Sequence, residues 1–289
     1  MGDLLGNAGA AIALAGVLGL IVGSFLNVVI LRLPLRLMHA WREQSRELLE
    51  IPAANDAAPA PPGLVWEPSH CPHCKHKLGA LENIPLFSWI VLRGHCRHCA
   101  APISAQYPFV ELLTGVASAL VVWKFGVAWQ AAAGLGFTWT LIAASGIDAR
   151  TQLLPDQLTL PLLWFGLLIS LLPLYVDSHA SILAAAAGYL SLWSVYWLFK
   201  LLTGKEGMGY GDFKLLAALG AWMGPWALLP IVLLSSLIGA VVGGAFLLLK
   251  GRDSATPIPF GPFLAAAGWS WFIAGNELMS IYRSLFGWS

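Results

Sequence analysis

Two turns in this sequence place carboxylates where acid–base chemistry can occur. One reads Gly146-Ile-Asp148-Ala-Arg150-Thr-Gln-Leu-Leu-Pro155-Asp156, the other Gly207-Met-Gly209-Tyr-Gly211-Asp212-Phe-Lys214. Pro155-Asp156 reads as a helix start with Asp156 as its N-cap. Asp148 closes a helix, where the dipole repels an anion, so capping does not account for it. Gly209 and Gly211 flank Tyr210 and permit unusual φ values and close backbone approach. Asp212 then opens a short helix whose free N–H groups favour a carboxylate, and an N-cap role alone explains it about as well as chemistry does. As a pair the acids say more. Two close carboxylates cannot both ionise readily, so one keeps a proton as acid while the other acts as base on water. Asp212, at a helix N-terminus, reads as the ionised member and Asp148 as the protonated one, in a pair that titrates as a unit.

The four cysteines form two knuckles, Cys71-Pro-His-Cys74 and Cys96-Arg-His-Cys99, with 21 residues between them. Paired C-x2-C turns let four thiolates converge on a tetrahedral zinc ion; two disulfides or four free thiols are the alternatives. A cytosolic location argues against disulfides. Four Cys ligands leave no open position for water, so the metal's job is to fold a small loop with too little core of its own. His70, His73, His76, His95 and His98 crowd the same knuckles.

Four other positions merit weighing. Glu111, about one turn inside an apolar stretch, is either a snorkelling edge residue or a partner for a basic loop residue or a substrate amine. Asn27 fits a structural hydrogen bond to a neighbouring helix. Lys214 serves equally as a charge anchor or a partner of Asp212. Pro259-Phe-Gly-Pro262 reads as a rigid lead-in to the last helix.

The elements that must position these groups are apolar. Of 289 residues, 58% are hydrophobic and 11% charged, which excludes most soluble and all disordered classes. A net charge of +1 offers no nucleic-acid footprint. Stretches near 8–31, 107–123, 127–147, 157–176, 180–202, 212–224, 226–249 and 260–280 predict an all-α polytopic membrane protein with about eight transmembrane helices. The sixth is short and ends at Gly224-Pro225, as a half-membrane helix before a break would. The first is too long and lacks the basic n-region of a cleaved leader. With segment 32–106 cytoplasmic, 14 of the 16 Lys and Arg residues fall on the cytoplasmic side, leaving Lys124 and Arg283 outside. Both termini then face away from the cytosol, and both aspartate turns lie at the cytoplasmic edge. The expected organisation is a first transmembrane helix over 1–31, a cytoplasmic zinc-binding loop domain over 32–106, and a transmembrane domain over 107–289. Within the loop, Arg36 to Glu50 predicts a separate amphipathic helix and Pro52 to Gly63 an Ala/Pro-rich connector.

Several motifs in order carry a family resemblance. They are Gly23-Ser-Phe-Leu-Asn27-Val-Val-Ile-Leu-Arg32-Leu-Pro34, the two cysteine knuckles, Tyr107-Pro-Phe-Val-Glu111-Leu-Leu-Thr, Asp148 with Pro155-Asp156, Gly209-Tyr-Gly-Asp212-Phe-Lys214-Leu-Leu-Ala, and Pro259-Phe-Gly-Pro262-Phe-Leu-Ala. The chain resembles the type IV prepilin peptidases of bacterial inner membranes over almost its whole length. The resemblance implies an intramembrane aspartic protease of the Gly-x-Gly-Asp type with Asp148 and Asp212 as catalytic pair, supported by Gly209, Gly211, Lys214 and Glu111. It implies cleavage after a Gly in the basic leader of prepilins and type II secretion pseudopilins, then N-methylation of the new terminal residue, commonly Phe, with S-adenosylmethionine. Segment 32–106 shows no glycine-rich strand-to-helix fingerprint for that cofactor. A proton-coupled transporter is the rival reading, but it predicts acids at the bilayer midplane and an inverted repeat, and neither is visible. A zinc-dependent scaffold would leave the aspartate pair unexplained.

Overall fold

A computed structural model describes residues 8–51, 60–79, 81–205, 207–250 and 258–286. Among these residues the chain is helical, with two isolated bridges and no strands. Its helices are α1 (Ala8–Leu48), α2 (Phe87–Val91), α3 (Gln106–Phe125), α4 (Trp129–Thr151), α5 (Asp156–Ile169), α6 (Ser178–Thr203), α7 (Tyr210–Met223), α8 (Pro225–Lys250) and α9 (Gly261–Phe286). Among the described residues, four stretches are long and apolar enough to cross a membrane: Ala8–Leu48, Gln106–Phe125, Ser178–Thr203 and Pro225–Ala245. Asp156–Ile169 is a shorter apolar helix. The chain divides into two compact units, Met1–Trp123 and Lys124–Ser289. Of the expected Pro52 to Gly63 connector, residues 52–59 lie outside the described residues, as do Arg252 and the side chains of Lys250 and Arg283.

In the first unit α1 runs 41 residues without a break. At 1.5 Å per residue that is about 60 Å, twice the thickness of a hydrocarbon core. The separate helix expected over Arg36 to Glu50 is therefore the far end of α1, up to Leu48. Pro34 lies inside the helix and forfeits the ladder bond to the Ile30 carbonyl, yet the turns on both sides continue. The N-terminal half packs tightly on α3. A Cβ at Gly19 would stand 2.5 Å from Ser118 Oγ and one at Gly23 2.7 Å from Glu111 Cα, so glycines allow an approach no larger residue would. Asn27 Nδ2 donates to the Tyr107 carbonyl on α3 at 3.1 Å, the structural role its position suggested. Further along, the buried Arg32 guanidinium donates to the carbonyls of Gly63, Glu67 and Pro68, at 2.6, 3.0 and 3.3 Å. Arg36 donates to those of Pro61 and Pro62. α1 thus anchors the chain that leads into the first cysteine knuckle.

The second unit is built around α7. This 14-residue helix spans about 21 Å, and Phe213 and every residue from Leu215 to Trp222 are buried. A helix apolar all round belongs in a core. Its neighbours approach through small residues. A Cβ at Gly220 would lie 2.5 Å from the Ala184 carbonyl of α6, and one at Gly166 of α5 2.6 Å from the Trp222 ring. The Trp222 indole donates to the Leu162 carbonyl at 2.9 Å, and Ser181 Oγ donates to the Ala221 carbonyl at 2.7 Å. α7 stops at Gly224, whose φ of +78° suits glycine, and α8 starts at Pro225. The break therefore falls where the sequence placed it. α9 is kinked at Ala274 (φ −124°, ψ 21°).

Candidate functional site

Asp148 and Asp212 belong to the second unit, and both are buried. Asp148 lies in the last turn of α4, which closes when the Gln152 N–H bonds the Asp148 carbonyl in an αL cap. Its side chain leaves that helix. Oδ2 accepts the backbone N–H of Gly261, the first residue of α9, at 3.0 Å. Asp212 sits in the first turn of α7, behind the N-cap Gly209, whose backbone N–H reaches its carboxyl. The two carboxylates lie within electrostatic reach of each other. Asp212 Oδ1 is buried and has no hydrogen-bond partner among the described residues.

The contact with Gly261 changes the electrostatic expectation. Asp148 ends its own helix but caps the N-terminus of another, and Asp212 lies in the N-terminal turn of its own. Both carboxylates therefore face free N–H groups and a positive dipole end, so the expected asymmetry between an ionised Asp212 and a protonated Asp148 disappears. Gly261 and Leu154 are the site residues that the sequence reading missed. A Cβ at Gly261 would lie 2.7 Å from Asp148 Oδ2 and 3.0 Å from Leu154 Cδ1. The signal was present in Pro259-Phe-Gly-Pro262, where a glycine N–H precedes a proline with none to offer.

The two glycines of the second turn have separate jobs. Gly211 is needed for close approach, since a Cβ there would meet Leu154 Cβ at 2.5 Å. Gly209 has φ −83° and ψ 149°, extended backbone open to any residue, so the unusual φ expected around Tyr210 is not found. Lys214 is committed elsewhere: Nζ donates to Asp156 Oδ1 at 2.6 Å, tying the start of α5 to the start of α7. Asp156 makes no side-chain cap for α5, whose N-cap is Pro155.

Glu111 and the cysteines belong to the first unit. Glu111, buried on α3, accepts the backbone N–H of Leu86 at 2.8 Å. Leu86 has φ +58°, a conformation that costs a non-glycine residue roughly 1–3 kcal/mol, and this hydrogen bond holds it. Of the alternatives weighed for Glu111, the basic loop partner is not what this contact supplies: it is a loop backbone amide.

The knuckles repeat one turn twice. In the first, Cys71 N–H donates to the His76 carbonyl and Lys75 N–H to that of Cys71; in the second, Cys96 N–H donates to Ala101 and Ala100 N–H to Cys96. Lys75 and Ala100 occupy the same left-handed position, with φ of 60° and 54°. The four sulfurs lie within 4.8 Å of one another, with Cys71–Cys99 at 3.8 Å and Cys74–Cys96 at 4.0 Å. A tetrahedron with Zn–S bonds of about 2.3 Å has edges near 3.8 Å, so the donor set and its spacing fit zinc. The backbone N–H groups of Cys74 and His73 pull the Cys71 thiol down to about 6. The Ala101 N–H also favours a Cys99 thiolate, but burial and the three neighbouring sulfurs outweigh it and push that thiol up to about 11. A divalent cation relieves such a conflict.

Residues 17–125 match the bacterial peptidase A24 N-terminal domain, and residues 135–244 match the type IV leader peptidase family. Among curated relatives, a prepilin leader peptidase/N-methyltransferase of Xanthomonas campestris pv. campestris is 58% identical over 93% of each chain. A namesake from Stutzerimonas stutzeri is 54% identical over 96% of each. Another, from Pseudomonas aeruginosa, is 51% identical over 93% of this chain and 92% of the relative. No solved structure matches the chain.

Proposed function

The chain belongs to the type IV leader peptidase family, and on that premise we propose that it is a bifunctional membrane enzyme that removes the leader of prepilins and then methylates the exposed amine. Its substrates are type IV prepilins and type II secretion pseudopilins, cut after a glycine at the cytoplasmic edge of the bacterial inner membrane. Asp148 and Asp212 carry the cut. The observation that supports this most is the buried Asp212 Oδ1, without a partner among the described residues, beside a second buried carboxylate: a polar atom available to hold a water or a substrate. Between the two carboxylates one proton is shared. The ionised member takes a proton from water as it attacks the glycine carbonyl, and the protonated member donates to the forming oxyanion or the leaving amine. The Gly261 N–H fixes the Asp148 carboxylate throughout. Because each acid faces a helix N-terminus, the pair is treated as one base-plus-acid unit.

In this reading about eight helices cross the membrane, segment 32–106 lies in the cytosol with the aspartates at its edge, and 107–289 forms the peptidase domain. The four cysteines hold a structural zinc that folds the loop. Bound S-adenosylmethionine supplies the methyl group. The described residues of 32–106 contain no strand and no glycine-rich strand-to-helix turn, so the doubly wound cradle for such a cofactor is absent there and no residue is assigned to it. The transporter alternative has no support from the relatives.

The test is cleavage of a prepilin by the purified protein in detergent, comparing wild type with Asp148→Asn and Asp212→Asn. Each variant should lose at least about a thousandfold in kcat while keeping its thermal melting profile, as expected when one member of a unit is removed. Near-wild-type cleavage by either variant refutes the pair. Labelled S-adenosylmethionine with pre-cleaved substrate reads out methylation in the same preparations.

A further inference from the structure

Converging the two knuckles does more than gather four sulfurs. Each knuckle also carries a histidine onto a common face: His76, two residues beyond Cys74, and His98, one before Cys99. Their ring centroids stand 3.5 Å apart at 35°. Glu82, in the short turn Leu81–Asn83, completes the group, with Oε2 3.7 Å from His76 Nε2. One donor atom from each of the three lies within 4.8 Å of the others. Among the described residues these three and the cysteine set are the two groups of metal-binding side chains that converge in this way.

We propose that His76, Glu82 and His98 form a second divalent transition-metal site, distinct from the four-cysteine cluster. Two imidazoles and a carboxylate suit a borderline cation such as Zn²⁺ or Co²⁺. Metal–ligand bonds of about 2.0–2.2 Å in a tetrahedron need donors roughly 3.3–3.5 Å apart, so a group whose donors lie within 4.8 Å closes by at most about 1.5 Å on binding. Glu82 is already placed. The Gly79 N–H donates to its Oε2 at 2.9 Å and fixes the carboxyl toward the two rings. Its side chain is only 14% exposed, whereas that of His76 is 39% exposed, which gives a metal a way in from solvent. Three protein ligands leave an open position for water or an exchangeable group, unlike the closed cysteine set. His95 is not among the residues whose donor atoms converge there; its Nδ1 is bonded to the Arg93 carbonyl at 2.7 Å.

Cobalt substitution separates the two sites, because a thiolate-bound Co²⁺ shows sulfur charge-transfer absorption and a nitrogen/oxygen site does not. The full chain in detergent, freed of metal, is titrated with Co²⁺ alone, and bound metal is counted after gel filtration. Wild type and the control His73→Ala should bind two equivalents, only one giving the sulfur bands. His76→Ala/His98→Ala should bind one equivalent with those bands undiminished. If that double variant loses the sulfur bands and so its loop fold, Glu82→Gln, which keeps both rings, decides by losing the second equivalent. A single equivalent in wild type, or a second that survives both the double variant and Glu82→Gln, overturns the proposal.

Discussion

Gly261→Ala tests the most specific feature of the candidate active site. The added methyl would stand 2.7 Å from Asp148 Oδ2 and 3.2 Å from its Cγ, and 3.0 Å from Leu154 Cδ1. Restoring ordinary contact displaces the carboxylate by roughly 0.7 Å, away from the N–H that holds it. A hydrogen bond to a charged acceptor contributes about 1.5–3 kcal/mol, and displacements of this size at a reacting group cost one to two orders of magnitude. Cleavage should therefore fall roughly 10- to 100-fold, the loss falling on kcat because the methyl displaces a group that acts in the chemical step. The assay is steady-state cleavage of a prepilin in detergent, with thermal melting as a check on folding. Gly136→Ala is the matched control: it lies on α4 like Asp148, and its Cβ would meet nothing within 4 Å. A folded Gly261→Ala enzyme with wild-type kcat would refute the claim that the α9 N-terminus positions Asp148 for chemistry.

Two further outcomes follow from the same geometry. Lys214→Met should lower stability by no more than about 0.5 kcal/mol and cleavage by less than about threefold, because its ion pair with Asp156 is part-exposed; a loss as deep as that of Asp212→Asn would restore Lys214 to the catalytic group. Removing zinc with a chelator, or Cys71→Ser, should open residues 64–104 to proteolysis while the far-UV helix signal persists, since a structural zinc of this kind contributes about 10–16 kcal/mol to small folded loops. An unchanged digestion pattern would show that the loop folds without metal.

The sequence determined the composition of the parts. Long apolar runs produce helices whatever surrounds them, because backbone hydrogen bonds inside each run close without help from elsewhere. The cysteine knuckles are local too: a C-x2-C turn needs only its own few residues, and the two observed turns have the same internal hydrogen bonds. Asp148 and Asp212 stood out because carboxylates are costly in so apolar a chain. What no local pattern encoded was pairing across distance. Gly261 meets Asp148 from 113 residues away, Lys214 takes Asp156 as its partner from 58, and Glu111 reaches back 25 residues to a strained leucine amide. The same limit hid the continuity of α1 through Pro34, where local rules favour a break and the helix continues nonetheless. Only the packed structure could place a helix N-terminus on Asp148, and with it remove the asymmetry that reading each helix alone had assigned to the two acids.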